Sequence, residues 1–179
     1  MGYQSEIEIQ LNNDSCYSEN GMRIIDLIDK LIISGWRLDF NNYGKVSLLD
    51  KGNDFNFIVL DLSLTNKEII NLLKFKEIHK EFIMVNLHTP NTDKSIEVFF
   101  DYSKKYRIDI SLIGEDYELK TTNPIKEIFN YFVLLYKPIF EWGDVKMIKF
   151  ITGYDYEVIK IFEGKNILSQ IEEEIRNIR

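Results

Sequence analysis

The clearest pattern of apolar and polar positions lies early in the chain, between residues 21 and 40. Apolar residues recur there at the spacing of one buried helical stripe, with polar residues on the opposite side. The stripe consists of Ile24, Leu27, Ile28, Leu31 and Ile32. Gly35 follows where a helix C-terminus favours a left-handed residue, and from Trp36 onward apolar and polar residues alternate. The pattern therefore predicts a helix that ends at Gly35 and leads directly into a strand.

Apolar alternation predicts further strands on both sides of this helix. Apolar and polar residues alternate over residues 3–11, which predicts a first strand with one solvent-exposed face. The turn-forming residues 41–44 predict a hairpin that joins the strand at Trp36 to a strand at 46–50. Additional strands are predicted at 55–62, 82–87, 96–100 and 106–112. We expect the run at 55–62 to be buried on both faces, and the last two strands to form a second hairpin.

Capping residues and apolar stripes predict three more helices. Thr65 and Glu68 form a capping box at the start of one helix. Pro124 takes the first position of the next helix, whose apolar phase continues past Pro138. The third helix carries an isoleucine stripe from 167 to 178. Before it, residues 156–162 read as a strand, whereas 145–151 fit either a helix or a strand.

The order of elements predicts an α+β domain that spans residues 1–179. We expect a single, mostly antiparallel sheet with helices packed on one face. Residues 144–179 either join this sheet or form a satellite strand–helix element. The predicted core residues are Leu27, Leu31, Trp36, Leu38, Phe57, Val59, Phe129 and Phe132.

The balance of charges narrows the possible partners. The formal net charge is −7, from 29 acidic and 22 basic residues, which argues against binding to nucleic acid or to an anionic membrane surface. An ordinary acidic protein and a partner for a basic molecule both remain. The single cysteine, Cys16, favours a reducing compartment, and the first ten residues lack a secretory pattern. We therefore expect a soluble, cytoplasmic protein.

Candidate chemical groups are few. His79 and His88 have no ligand partner at metal-binding spacing. Carboxylates could pair for acid–base chemistry, either Glu6 with Glu8 or Asp101 with Asp109, but carboxylates on one strand face are more often only its solvated side. Cys16 lies between acidic neighbours that raise a thiol pKa. The sequence thus predicts no catalytic residue, no cofactor and no metal.

One stretch resembles a known group of proteins. From Leu27 to Phe57 an Ile/Leu-rich helix is followed by Gly-Trp, a short strand, a glycine turn, a second strand and Gly-Asn-Asp-Phe. This order, with the capped helix from Thr65, resembles small bacterial immunity proteins of polymorphic or contact-dependent growth inhibition toxin systems. The resemblance covers about the first half of the chain. It implies binding to a cognate toxin, often a nuclease, by occlusion of its active site, and it transfers no functional residue.

The resemblance raises the question of which residues would touch a toxin. Two predicted loops combine carboxylates with an aromatic residue that could anchor a contact. The predicted partner-binding residues are Glu115, Asp116, Tyr117, Glu118, Glu141, Trp142 and Asp144. Two other classes stay open: an enzyme built from the strand carboxylates and His88, and a small-molecule-binding or regulatory domain without catalysis.

Overall fold

The computed structural model describes residues 5–12, 24–38, 45–50, 57–59, 65, 67–68, 70–71, 80–90, 95–101, 107–113, 124–152 and 156–178. Nine strands and three long helices lie in this part of the chain. The strands are β1 (Glu6–Leu11), β2 (Arg37–Leu38), β3 (Lys45–Asp50), β4 (Phe57–Val59), β5 (Lys80–His88), β6 (Ser95–Asp101), β7 (Arg107–Ile113), β8 (Val145–Ile151) and β9 (Val158–Glu163). The helices are α1 (Ile24–Ile33), α2 (Pro124–Trp142) and α3 (Ile167–Ile178).

The described strands form one sheet in the order β4-β3-β5-β6-β7-β1-β8-β9. β2 is not part of this order and pairs with β5, on the same edge of β5 as β3. Every pairing is antiparallel. The predicted α+β architecture is therefore confirmed. The ambiguous stretch at 145–151 is a strand, and β8 pairs with β1 through Ile7–Phe150 and Ile9–Ile148. The C-terminal segment thus joins the sheet and is not a satellite.

The predicted hairpin between the strand at Trp36 and the strand at 46–50 is wrong. β2 pairs with the end of β5, through Arg37–His88 and Leu38–Leu87. β3 pairs with β4 and with the first half of β5. β5 is nine residues long, so one of its edges accommodates both strands in succession. β3 therefore does not lie opposite β2, and both strands lie along the same edge of β5.

The helices pack against the same face of the sheet, as predicted. α2 and α3 contact β8, α3 also contacts β9, and α1 packs beside α2. Rings from α2, β8 and β9 meet edge to face at the centre of this layer. Six predicted core residues are buried: Leu27, Leu31, Trp36, Leu38, Phe129 and Phe132. The side chains of the other two, Phe57 and Val59, lie outside the described residues.

The ends of the helices follow the predicted capping chemistry. At the end of α1, Gly35 has φ +98°, its N–H donates to the Ile32 carbonyl, and the Trp36 N–H donates to the Leu31 carbonyl, both at 3.0 Å. This is the Schellman arrangement, in which the left-handed residue lets the chain turn back over the last helical turn. At Thr65 the backbone N–H donates to the Glu68 carboxylate at 2.8 Å, which confirms the capping box.

Replacing Gly35 with alanine should lower the free energy of unfolding by roughly 1–2 kcal/mol, the cost of a left-handed conformation for a residue with a Cβ. A Cβ there would meet Pro90 at an ordinary 3.5 Å, so the backbone conformation sets the cost. Urea denaturation measures the change. Ser34→Ala, at the neighbouring exposed position, is the control and should stay within about 0.5 kcal/mol. Equal effects of the two changes would contradict this assignment.

α2 is the longest described helix, with 19 residues, and it continues through Pro138 to Trp142. The apolar phase beyond the proline predicts a kinked helix that does not stop at Pro138, and its continuation to Trp142 is confirmed. Among the described residues no helix combines the length and the apolar character needed to cross a membrane.

Candidate partner-binding surface

A groove with a volume of about 880 Å³ lies at one end of the sheet, between the α2–β8 turn and the β9–α3 turn. Asn12 lines it from the end of β1, together with residues 140–147 and 163–169. We call it the terminal groove. It contains Glu141, Trp142 and Asp144, three of the predicted partner-binding residues. The antiparallel pairing of β8 with both β1 and β9 brings these segments together.

The structure changes the role that Trp142 can play. The sequence pattern had placed it in a loop, where an exposed ring could anchor a partner. Instead α2 extends to Trp142 and the side chain is only 3% exposed, in the hydrophobic core. Trp142→Ala would disturb the core, so this change cannot test binding. The buried ring lines the groove, so contacts with a partner must come from the exposed residues next to it.

Two predicted carboxylates are accessible at the groove. The Glu141 side chain is 68% exposed, with a carboxylate oxygen 3.9 Å from the Lys30 ammonium nitrogen. Asp144 is also exposed, and its backbone carbonyl accepts a hydrogen bond of 2.8 Å from the Asn12 N–H. The remaining predicted contacts, Glu115, Asp116, Tyr117 and Glu118, lie outside the described residues.

The opposite wall of the groove is the tight turn between β9 and α3. Gly164 has φ +89°, and a Cβ there would meet no atom within 4 Å, so the backbone conformation alone favours glycine. The Gln170 side chain donates to the Glu163 carbonyl at 2.9 Å and fixes the turn to α3. The ionisable groups that line the groove are Glu141, Asp144, Lys146, Glu163 and Lys165. Carboxylates therefore outnumber ammonium groups, three to two.

A second cluster of charged residues occupies the sheet face opposite the helices. Glu8 on β1 is its centre: one carboxylate oxygen accepts from Lys149 at 2.9 Å and from Gln10 at 2.8 Å, and the other lies 3.0 Å from the Arg107 guanidinium. Arg107 also pairs with Asp109 at 2.6 Å. We call these five residues the sheet-face network. It links three neighbouring strands, β7, β1 and β8.

The network holds Glu8 in its charged form. Its side chain is only 6% exposed, and this burial acts to raise the pKa. Hydrogen bonds from Lys149 and Gln10, with the charges of Arg107 and Lys149, outweigh burial and lower the pKa of Glu8. Burial likewise acts to lower the pKa of Arg107, but Asp109 and Glu8 raise it. Glu8 is therefore a charged acceptor rather than a proton donor at neutral pH.

Two other carboxylates on the same face behave in the opposite way. Glu6 and Glu97 flank Ser111 in one cross-strand row, because Ser111 pairs with both. Burial raises the pKa of Glu97. Burial raises the pKa of Glu6 as well, and the negative charges of Asp109 and Glu8 add to that effect. These two carboxylates are thus easier to protonate than Glu8.

The structure also places the groups considered for catalysis. Glu6 and Glu8 share one face of β1, and Asp109 lies opposite Glu8 and Phe99 rather than Asp101. The His88 Nδ1 lies 2.9 Å from the Ser95 hydroxyl on the adjacent strand. No cluster of three or more histidine, cysteine or acidic residues suited to a metal occurs among the described residues. His79 and Cys16 fall outside them.

Sequence reasoning missed one surface, the exposed apolar side chains near β9. Six large apolar side chains are exposed in the described part of the chain, and four of them fall between residues 156 and 168. These four are Tyr156 (67% exposed), Val158 (42%), Ile161 (46%) and Leu168 (40%). The available signal was the nearly continuous run Val158-Ile159-Lys160-Ile161, which places apolar residues on both faces of one strand.

Comparisons with known proteins add no identity to these observations. No family model matches the chain, and no curated protein matches it. A function is therefore inferred from the terminal groove, from β9 and from the charge of the chain.

Proposed function

We propose that the chain is an immunity protein that binds a cognate toxin domain, a nuclease, and neutralises it by occluding its active site. The observation that carries this proposal is the clustering of exposed apolar side chains and accessible carboxylates around β9 and the terminal groove. Large exposed apolar patches on a protein surface mark interaction sites, and the exposed side chains of Val158 and Ile161 share one face of β9. The net charge of −7 and the immunity-protein pattern from Leu27 to Phe57 agree with this function.

The two kinds of side chain contribute differently to such binding. Buried apolar and aromatic contacts supply most of the affinity of an interface. Carboxylates around them mainly accelerate association and select a partner of opposite charge. A nuclease needs a basic cleft to hold a polyanion, so an acidic protein is attracted to the cleft that it must block.

The direct test expresses the product of the reading frame that adjoins the gene for this chain as the candidate toxin domain. We expect cells that express this toxin domain alone to stop growing, and cells that also express the full chain to grow. A toxin domain from an unrelated system is the control, because immunity is specific to the cognate pair. Growth arrest that persists with abundant, folded chain would overturn the proposal.

A second candidate function is a small-molecule-binding or regulatory α+β domain without catalysis. The size of the terminal groove favours it, because about 880 Å³ is within the range of pockets that hold small ligands. A thermal-shift screen of metabolites separates the two functions. A specific stabilising ligand, together with no effect on any neighbouring toxin, would favour the second function.

The charge of the chain predicts how association with the toxin depends on salt. We expect the association rate constant to fall roughly tenfold or more between low and physiological ionic strength, because screening removes the long-range attraction. The dissociation rate constant should change much less, since it depends on short-range contacts. Stopped-flow mixing at several salt concentrations measures both. An association rate constant that stays flat would exclude electrostatic steering.

A further inference from the structure

The exposed apolar residues near β9 belong to the last strand of the described sheet order. β9 pairs with β8 on one side, and no described strand pairs with its outer side. A strand in this position presents backbone N–H and C=O groups that another extended segment can bind. The exposure of Val158 and Ile161, 42% and 46%, shows that solvent reaches the strand.

The side chains of β9 lie on two faces of the sheet, and they differ in how much apolar surface they offer to an added strand. Val158 lies opposite Ile151, and Ile161 lies opposite Lys149, on the sheet face away from the helices. The register shift between Phe150 and Ile151 places both side chains on this face although they are three residues apart. Lys160 and Phe162 lie on the helix face, where Phe162 is buried and the Lys160 ammonium is 3.1 Å from Glu174. The apolar surface available to a partner is therefore on the face away from the helices.

The charge around β9 indicates the chemistry of the partner. The exposed residues Glu157 and Glu163 stand at its two ends, and none of the described ion pairs includes either of them. Lys160, the only cation within the strand, is neutralised by Glu174. A complementary segment would carry lysine or arginine at its ends, and apolar residues at alternate positions between them.

We propose that β9 binds an extended segment of the toxin as an additional antiparallel strand. The apolar side chains of this segment pack against Val158 and Ile161, and its basic residues lie beside Glu157 and Glu163. This inference rests on the proposed function and specifies how the partner binds. Glu163 also lines the terminal groove, so the rest of the toxin domain would continue across it towards Glu141 and Asp144.

Hydrogen–deuterium exchange of the full chain, alone and with the candidate toxin domain from the adjoining reading frame, tests the strand addition. We expect the outward-facing amides of residues 158–163 to exchange at least about tenfold more slowly in the complex, because new backbone hydrogen bonds protect them. Amides of β5 and β6, which have strand neighbours on both sides, serve as the internal reference.

Two lysine variants, Val158→Lys and Ile161→Lys, test the side-chain contacts. Each should weaken toxin binding at least about tenfold, by removing an apolar contact and repelling a basic segment. The control is Ile33→Lys, which makes the same change of charge at a side chain that is 78% exposed on α1, and it should leave affinity within about twofold. Circular dichroism establishes that the variants are folded.

The outcomes separate the two proposals. If the wild-type chain does not bind the toxin, both the immunity function and the strand addition are overturned. If the wild-type chain binds but the β9 amides exchange as before, only the strand addition is overturned. The exchange measurement needs no variant, so it decides the matter even if a lysine variant fails to fold.

Discussion

Phe150→Ala is expected to lower the free energy of unfolding by about 3–5 kcal/mol, the cost of removing a fully buried aromatic ring. Phe150 lies on β8 and is 0% exposed. Its ring centre is 5.2 Å from that of Phe132, 5.5 Å from Phe129 and 5.6 Å from Phe162, and each pair meets edge to face. The change therefore removes contacts to α2 and to β9 at once. Urea denaturation monitored by circular dichroism measures it.

Ile33→Ala is the matched surface control for this prediction. Ile33 is 78% exposed at the end of α1, and we expect its truncation to change stability by no more than about 0.5 kcal/mol. A loss of less than about 1 kcal/mol for Phe150→Ala would mean that the aromatic rings do not form a packed cluster.

Glu8→Gln is expected to lower the free energy of unfolding at neutral pH by about 1.5–3 kcal/mol, the range for hydrogen bonds to a charged group. The amide keeps the size of the side chain but loses the charge that Lys149 and Arg107 contact. Those cations are 25% and 35% exposed and regain some hydration. The loss should therefore be smaller than for a fully buried ion pair.

Glu97→Gln is a control that should change the free energy of unfolding in the opposite direction. Burial raises the pKa of Glu97, so its charged form is unfavourable in the folded protein. Replacing it with a neutral amide should increase stability at neutral pH. A shift of the urea midpoint in the same direction for both substitutions would contradict the claim that the folded protein favours the charged form of Glu8 and disfavours that of Glu97.

Acidification should separate these carboxylates further. Glu8 has a lowered pKa in the folded state, so its stabilisation is present above the ordinary value of 4.5 and is lost as pH falls through the folded pKa. Glu97 has a raised pKa, so its contribution is complete below 4.5 and is lost as pH rises through the folded pKa. Glu8→Gln should make the change in the free energy of unfolding from about pH 3 to about pH 7 less positive, and Glu97→Gln should make it more positive.

Periodicity predicted much of the fold because one face of each element is buried. The stripe of α1, the left-handed Gly35, the capping box at Thr65 and the passage of α2 through Pro138 are local features, and all are confirmed. Strand pairing depends on distant residues, which a local pattern does not specify. The pairing of β2 with β5 was therefore missed, since turn residues indicate that a strand ends but not where the next one goes.

The candidate site was less predictable, for a different physical reason. Trp142 and Glu141 are adjacent in sequence, yet one is buried and the other is exposed, because helical rotation separates them. The sequence had grouped them by composition alone. The exposed side chains of β9 depend on its place at the end of the sheet order, which follows from long-range pairing with β8. Only the assembled sheet distinguishes such an edge from a central strand.

Titration of toxin activity is the measurement that tests the proposed function most directly. The purified candidate toxin domain, the product of the adjoining reading frame, is mixed with increasing amounts of the full chain, and its nuclease activity is followed. The account predicts a linear decline that reaches zero at one equivalent, as stoichiometric occlusion of the active site requires. Activity that persists in excess of the folded chain would contradict it.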